Sequence, residues 1–159
     1  MSTQQIVARL LASCGGIGFA RWAPGTVGSL AALLPGAFLL TQPSFALPLA
    51  ILLVSLAGLW ATRIAAGEED PGWVVIDEVV GQWMALLPLA SPTPFGLLAA
   101  FALFRLLDIT KPGPVGWADR QKGAAGVMGD DLIAGFIAAG ILWELQSRFP
   151  GIVNEGWHV

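Results

Sequence analysis

The sequence predicts an all-α, polytopic membrane helical bundle with a helical hairpin around residues 73–109. Three observations predict it. The 159 residues are 55% hydrophobic and 12% charged, with a mean hydropathy of +0.71, whereas a soluble domain usually carries about 25% charged residues. No charge falls between Arg21 and Arg63. Acidic residues stand inside apolar runs: Asp77 and Glu78 in Trp73-Val-Val-Ile-Asp-Glu-Val-Val-Gly81, Asp108 at the end of Phe101-Ala-Leu-Phe-Arg-Leu-Leu-Asp108, and Asp130 and Asp131 in Gly126-Val-Met-Gly-Asp-Asp-Leu-Ile-Ala-Gly135. A carboxylate in or beside a low-dielectric phase is costly unless it is paired or bound to a metal. The length suits one domain over residues 1–159.

The elements follow in order. Met1 to Ser13 has no long apolar core and no small-residue cleavage pattern, so no cleavable leader is expected. The charge-free stretch from Arg21 to Arg63 holds two crossings of ~20 residues, with the turn at Pro43-Ser44. The first helix is expected to open around Thr26, with Thr26 as cap, and the second to run from about Phe45 to Thr62 with Pro48 in its first turn. Val79 to Phe104 is long for one crossing and short for two, and Ser91-Pro-Thr-Pro94 interrupts it. This gives a hairpin with arms of roughly Trp73 to Leu89 and Phe95 to Ile109, marginal in length. The last helix is expected from about Asp130 to Arg148, stopped by Pro150-Gly151, with Glu144 and Arg148 paired at i,i+4. The tail from Asn154 to Val159 reads as a solvated terminus.

Charge placement sets the orientation. Arg9, Arg21, Arg63, Arg105, Lys111, Arg120 and Lys122 fall on one side of this path, the cytoplasmic side by the positive-inside rule. Trp22, Trp60 and Trp73 mark the same boundary. The hairpin brings the acidic clusters to that face as well. One straight crossing would instead separate Glu78 from Arg105 by ~40 Å at 1.5 Å per residue. Gly81 and Gly135 each lie four residues after an acid, Asp77 and Asp131, and small residues there let helices approach closely.

Carboxylates with few other ligand types suit a hard cation such as Mg²⁺, which takes one or two of them together with waters and a substrate phosphate. The simpler alternative pairs the acids with Arg63, Arg105 or Lys111 at helix ends; three acidic clusters on one face favour a cation site. Between two of the clusters lies a loop from Asp108 to Gly129, whose Lys111, Arg120 and Lys122 can meet a phosphate. Gly15 to Ser29 leads glycines into a helix N-terminus, where Thr26 and Ser29 add hydroxyls and Arg21 adds charge.

Other chemistries are set aside. One cysteine, Cys14, and one histidine, His158, allow neither an intramolecular disulfide nor a Cys/His metal site. The spacing of Cys14 to Arg21 does not fit a thiol phosphatase. No Walker A lysine and no Asp-x-Asp occurs. The net charge is −3 and no basic face appears, so nucleic acid is not an expected partner.

Ala23-Pro-Gly-Thr-Val-Gly-Ser29, Val75-Ile-Asp-Glu-Val-Val-Gly81, Phe104-Arg-Leu-Leu-Asp-Ile-Thr-Lys-Pro112 and Gly126 to Gly135 together resemble the phosphatidylglycerophosphatase A family, in the family's order and across nearly the whole chain. The chain departs from the family pattern at Arg21, at Gly123-Ala-Ala-Gly126 and at Gly129, and no departure removes a carboxylate. The resemblance implies a bacterial inner-membrane, Mg²⁺-dependent enzyme with its site facing the cytoplasm, which hydrolyses phosphatidylglycerophosphate to phosphatidylglycerol and phosphate. Asp77, Glu78, Asp108, Asp130 and Asp131 are then the expected metal-binding and catalytic residues, with Lys111 also catalytic. Arg105, Lys111, Thr26 and Lys122 are expected to bind substrate. Two alternatives stand beside this reading: a non-enzymatic membrane protein (an ion carrier or assembly subunit), and a soluble all-helical protein.

Overall fold

A computed structural model describes residues 1–149. The expected stop at Pro150-Gly151, the tail from Asn154 and His158 lie outside the described residues. Seven α-helices and one short 3-10 turn make up the structure, and no strand occurs among the described residues.

The first helix, α1 (Thr3–Ala12), forms in a segment where no helix is expected from the sequence. Ser2 caps it: the Gln5 backbone N–H donates to Ser2 Oγ at 3.2 Å, and the Ser2 N–H donates to Gln5 Oε1 at 2.9 Å. This reciprocal box satisfies two end donors, which offsets the short length. Ala8 and Ala12 bury against α3. The Ala12 carbonyl then accepts from Val75 N–H, tying α1 to the start of the hairpin. Arg9 stacks over both Phe19 and Trp73, which also stack on each other.

Helix α2 (Pro24–Leu40) opens two residues before Thr26. Ala23, in the left-handed region at φ 43°, occupies the cap position, and no side chain caps the helix. Pro24 takes the first turn because its missing N–H would have no partner there. The expected Thr26 cap is therefore corrected. A short turn leads to α3 (Ala46–Ala65), close to the expected Phe45 to Thr62.

The hairpin forms from α4 (Ile76–Leu86) and α5 (Pro94–Thr110). Thr93 caps α5, accepting from Gly96 N–H at 3.1 Å, and Pro94 fills its first position. The first arm is shorter than expected because α4 is not a lipid-facing span. Eight of its eleven residues are buried, and it packs against α2, α3, α5 and α7. An apolar run with no solvated face belongs to an enclosed helix.

The stretch read as one loop from Asp108 to Gly129 contains a further helix, α6 (Pro114–Asp119). The last helix, α7 (Ala124–Arg148), starts six residues before the expected Asp130. Asp130 and Asp131 thus sit in the second turn, and their neighbours Val127 and Met128 are buried. Arg148 Nε meets Glu144 Oε1 at 2.6 Å, as the spacing predicts.

Polar and apolar residues are distributed inside out. Helix α3 exposes Leu49, Leu52, Leu53, Leu56 and Leu59, and α7 exposes Phe136 and Trp143. Inside, Ser29, Thr62, Asp77, Gln82, Asp108, Asp130 and Asp131 are buried. Helices α3 and α7 are long and apolar enough to cross a membrane, and α2 is a shorter apolar helix. A water-soluble bundle would bury that leucine face, so the soluble alternative fails on this observation.

Helices α4 and α7 meet at two glycines. A Cβ on Gly81 would collide with the Phe104 ring and the Asp131 carbonyl, and one on Gly135 with the Gly81 carbonyl and Met84. Gly129, by contrast, has only Ala118 nearby, at an ordinary 3.8 Å. Gly81→Ala is therefore expected to cost about 1–3 kcal/mol, read as a lower thermal midpoint in detergent. Gly129→Ala should leave the midpoint unchanged or raise it.

Candidate active site

Three helices deliver the acids. Asp77 and Glu78 lie in the first turn of α4, Asp108 near the end of α5, and Asp130 and Asp131 in α7. The close α4–α7 crossing places the first and last pairs side by side. All five line one cleft of about 230 Å³, together with Asp70, Arg105, Lys111, Gly25 and neighbouring backbone.

Two triads emerge within the cluster. Carboxylate oxygens of Asp77, Glu78 and Asp131 lie within 4.8 Å of one another, and so do those of Asp108, Asp130 and Asp131. Asp131 belongs to both triads and is 2% exposed. The cations do not neutralise the set. Arg105 Nη1 donates to Asp108 at 2.5 Å and to Glu78 at 3.5 Å. Lys111 Nζ donates to Asp119 at 2.6 Å and to Asp130 at 2.5 Å, with Asp108 at 4.0 Å. Six carboxylates and two cations line the cleft. Asp77 and Asp131 form no ion pair among the described residues.

The alternative in which the acids pair with basic residues at helix ends is thus half satisfied. Arg105 and Lys111 do pair, whereas Arg63 meets no acid among the described residues. The 3.5 Å contact between Arg105 and Glu78 also requires the hairpin rather than one straight crossing.

Buried oxygens remain without partners among the described residues: Glu78 Oε2, Asp130 Oδ1 and Asp131 Oδ2. A buried acceptor left unpaired is costly, more so when charged. The donor set is all oxygen, anionic and drawn from separate helices, which fits a hard divalent ion. These residues could hold a metal.

Lys111 ends α5 in the left-handed region at φ 47°, a geometry that turns the chain back towards the cleft. Burial alone would lower its pKa, but hydrogen bonds to Asp119 and Asp130 raise it overall, so Lys111 stays cationic. Partial loss of solvation beside the cleft raises the pKa of Asp70, against the opposing pull of Lys111, although much of its surface stays exposed.

Other expected residues fall elsewhere. Thr26 is half-buried on α2 and does not line the cleft. Ser29 is buried and donates to the Gly25 carbonyl at 2.9 Å, so its hydroxyl is spent within α2. Arg21 is exposed outside the cleft. Lys122 lines adjoining recesses rather than the cleft. What the N-terminal segment supplies is backbone: a Cβ on Gly25 would overlap the Glu78 carboxylate and crowd Arg105. Burial, then Asp77 and Glu78, push the Cys14 thiol up to about 12. It is no thiolate nucleophile, in keeping with the spacing argument.

Two residues escaped the sequence reading. Asp70 lines the cleft and Asp119 anchors Lys111. Asp70 closes the exposed run Glu68-Glu69-Asp70, which looks like an ordinary solvated loop. Asp119 lies eight residues after Lys111, a spacing that carries no signal until α6 folds the chain back.

Comparison with known proteins bears on this constellation. The family model for phosphatidylglycerophosphatase A matches residues 10–146. The phosphatidylglycerophosphatase A of Escherichia coli is 38% identical over 151 residues, covering 91% of this chain and 87% of that protein. That of Haemophilus influenzae is 37% identical over 142 residues, covering 86% and 87%. A Bacteroides thetaiotaomicron protein named as a candidate phosphatidylinositol-3-phosphatase is 40% identical over 133 residues, covering 76% and 81%. No solved structure matches the chain. The family match takes in every helix that contributes to the cleft, and the chain belongs to the phosphatidylglycerophosphatase A family.

Proposed function

We propose that the acid cleft hydrolyses the terminal phosphomonoester of phosphatidylglycerophosphate with Mg²⁺, in a single membrane domain at the cytoplasmic face of the bacterial inner membrane. Family membership carries the broader statement: the chain is a lipid phosphatase of phosphatidylglycerol synthesis. The single observation that carries the finer reading is Asp131. It is buried, belongs to both carboxylate triads and has an unpartnered oxygen.

Asp77, Glu78 and Asp131, or Asp108, Asp130 and Asp131, would hold the ion. Mg²⁺ bound there supplies Lewis-acid stabilisation of the phosphoryl oxygens and lowers the pKa of water. Lys111, kept cationic by Asp119 and Asp130, binds the phosphate. Arg105 orients Glu78 and Asp108 and adds positive charge. A cluster carboxylate with an unpartnered oxygen takes the proton from the attacking water. The water oxygen bonds to phosphorus as the phosphorus–glycerol oxygen bond breaks. The glycerol oxygen leaves, takes up the proton that the carboxylate had accepted from water and remains on phosphatidylglycerol, and inorganic phosphate departs. The cleft is small and polar, and the apolar outer helices take the acyl chains. The basic residues on the cleft side of the chain support the cytoplasmic orientation.

The ion-carrier alternative needs acids spread through the bilayer depth, and the cluster at one end of the bundle does not favour it. Cation flux in liposomes without phosphate release would overturn the hydrolase reading.

In detergent with Mg²⁺, the protein is expected to release phosphate from phosphatidylglycerophosphate. Asp131→Asn should reduce that rate by at least ~100-fold, since even outer-shell changes cost 10–100-fold. Full activity in this variant would remove Asp131 from the mechanism. Thermal melts separate chemistry from folding. With chelator, Asp131→Asn should melt at or above the wild-type temperature, because it relieves carboxylate repulsion. Mg²⁺ should raise the wild-type midpoint and leave the variant nearly unmoved. Lys111→Gln should raise KM and cut kcat/KM by about tenfold or more, the effect of losing a charge-assisted hydrogen bond to phosphate.

A further inference from the structure

Beside the acid cleft lies a larger groove, of about 740 Å³, that the reaction described so far leaves unused. It forms where the last turn of α3 meets the first turn of α7. Leu59 and Trp60 supply an apolar wall, and Arg63 and Lys122 supply charge. Neither cation forms an ion pair among the described residues, unlike Arg105, Lys111 and Arg148. Glu68 on the rim is exposed and pairs with neither.

Two further facts limit what the groove can take. Gly123, at φ 72°, starts α7 without any side-chain cap, and Gly123, Ala124 and Ala125 line the groove, so the positive end of a long helix borders it. The groove also adjoins the active cleft through shared lining residues. A recess of about 150 Å³ shares Lys122 and Gly123 with the groove, and Asp70 and Asp130 with the cleft. Gly123 and Asp130 are separated along α7 by ~10 Å at 1.5 Å per residue. With the reach of the Lys122 side chain, that distance suits two phosphates joined by one glycerol. An interfacial tryptophan and a free arginine at the end of a spanning helix mark headgroup depth.

We propose that this groove seats the phosphodiester of the lipid substrate, held by Arg63 and Lys122, with the first acyl carbons against Leu59 and Trp60. The acid cleft then receives the terminal monoester alone. This rests on the phosphatidylglycerophosphate reading, and it makes Arg63 and Lys122 specificity residues: they select a lipid with two phosphates over one with a single phosphate. It also gives Lys122 a role apart from the scissile phosphate, which fits its position outside the cleft.

The test uses the full chain in neutral detergent, titrated calorimetrically with dihexanoyl phosphatidylglycerol, which has the diester and no monoester. Arg63→Gln/Lys122→Gln should weaken binding by about tenfold or more. Asp131→Asn should bind like wild type. So should Arg21→Gln/Arg148→Gln, which removes the same charge elsewhere. Undiminished binding by the groove variant overturns the proposal, and so does equal weakening by the control pair. Inorganic phosphate is the second probe; displacement of the lipid at matching concentrations would make the groove a general phosphate site and also overturn it. In kinetics, the groove variant should raise KM for phosphatidylglycerophosphate by about tenfold, with a much smaller effect on kcat. A wild type that binds the diester through the groove yet releases no phosphate would sink the hydrolase reading and leave the groove standing. Normal hydrolysis with undiminished variant binding would do the reverse.

Discussion

Mutual repulsion among buried carboxylates is the constraint on which the rest of this structure depends. Asp77, Glu78, Asp108, Asp130 and Asp131 converge from three helices, and Arg105 and Lys111 leave the set negative. Such a cluster would splay its helices apart unless the backbone held them. The α4–α7 crossing does so: Gly81 and Gly135 bring the two chains together so closely that no side chain could replace either hydrogen. Close packing thus works against electrostatic repulsion, and a bound cation would relieve it.

Lipid solvation makes this arrangement possible. With an apolar exterior supplied by the leucine face of α3 and the outer residues of α7, the interior is free to carry polar groups. The short helix α4 is enclosed on all sides, so its acids are shielded from the acyl chains while its first turn opens to the cleft. The end of α3 and the start of α7 meet beside the acid cleft.

The helical class, the hairpin and the acidic clusters are all legible in the sequence alone. Charge-free length and proline placement indicate where the helices lie. An acid in an apolar run is informative because burial makes it costly. Boundaries were less legible. Ala23 caps α2 through backbone geometry alone, so the search for a capping hydroxyl led to Thr26. The start of α7 at Ala124 was hidden because its glycine-rich first turn looks like a loop. Helix α1 is hard to read from the sequence because its ten residues fall short of a span and its Ser2–Gln5 capping box is a short local signal.

The sequence by itself determined which residue types had to be reconciled: five carboxylates too costly to leave alone in an apolar chain, and the glycines that allow helices to meet beside them. Only the tertiary structure decided the partnerships. Lys111 reaches Asp119 and Asp130 because α6 reverses the chain; Asp70 joins the cleft; Thr26, Ser29 and Lys122 fall outside it. The physical reason is range. Burial costs and helix periods are local and can be read residue by residue, whereas an ion pair depends on the direction of side chains brought together from distant turns.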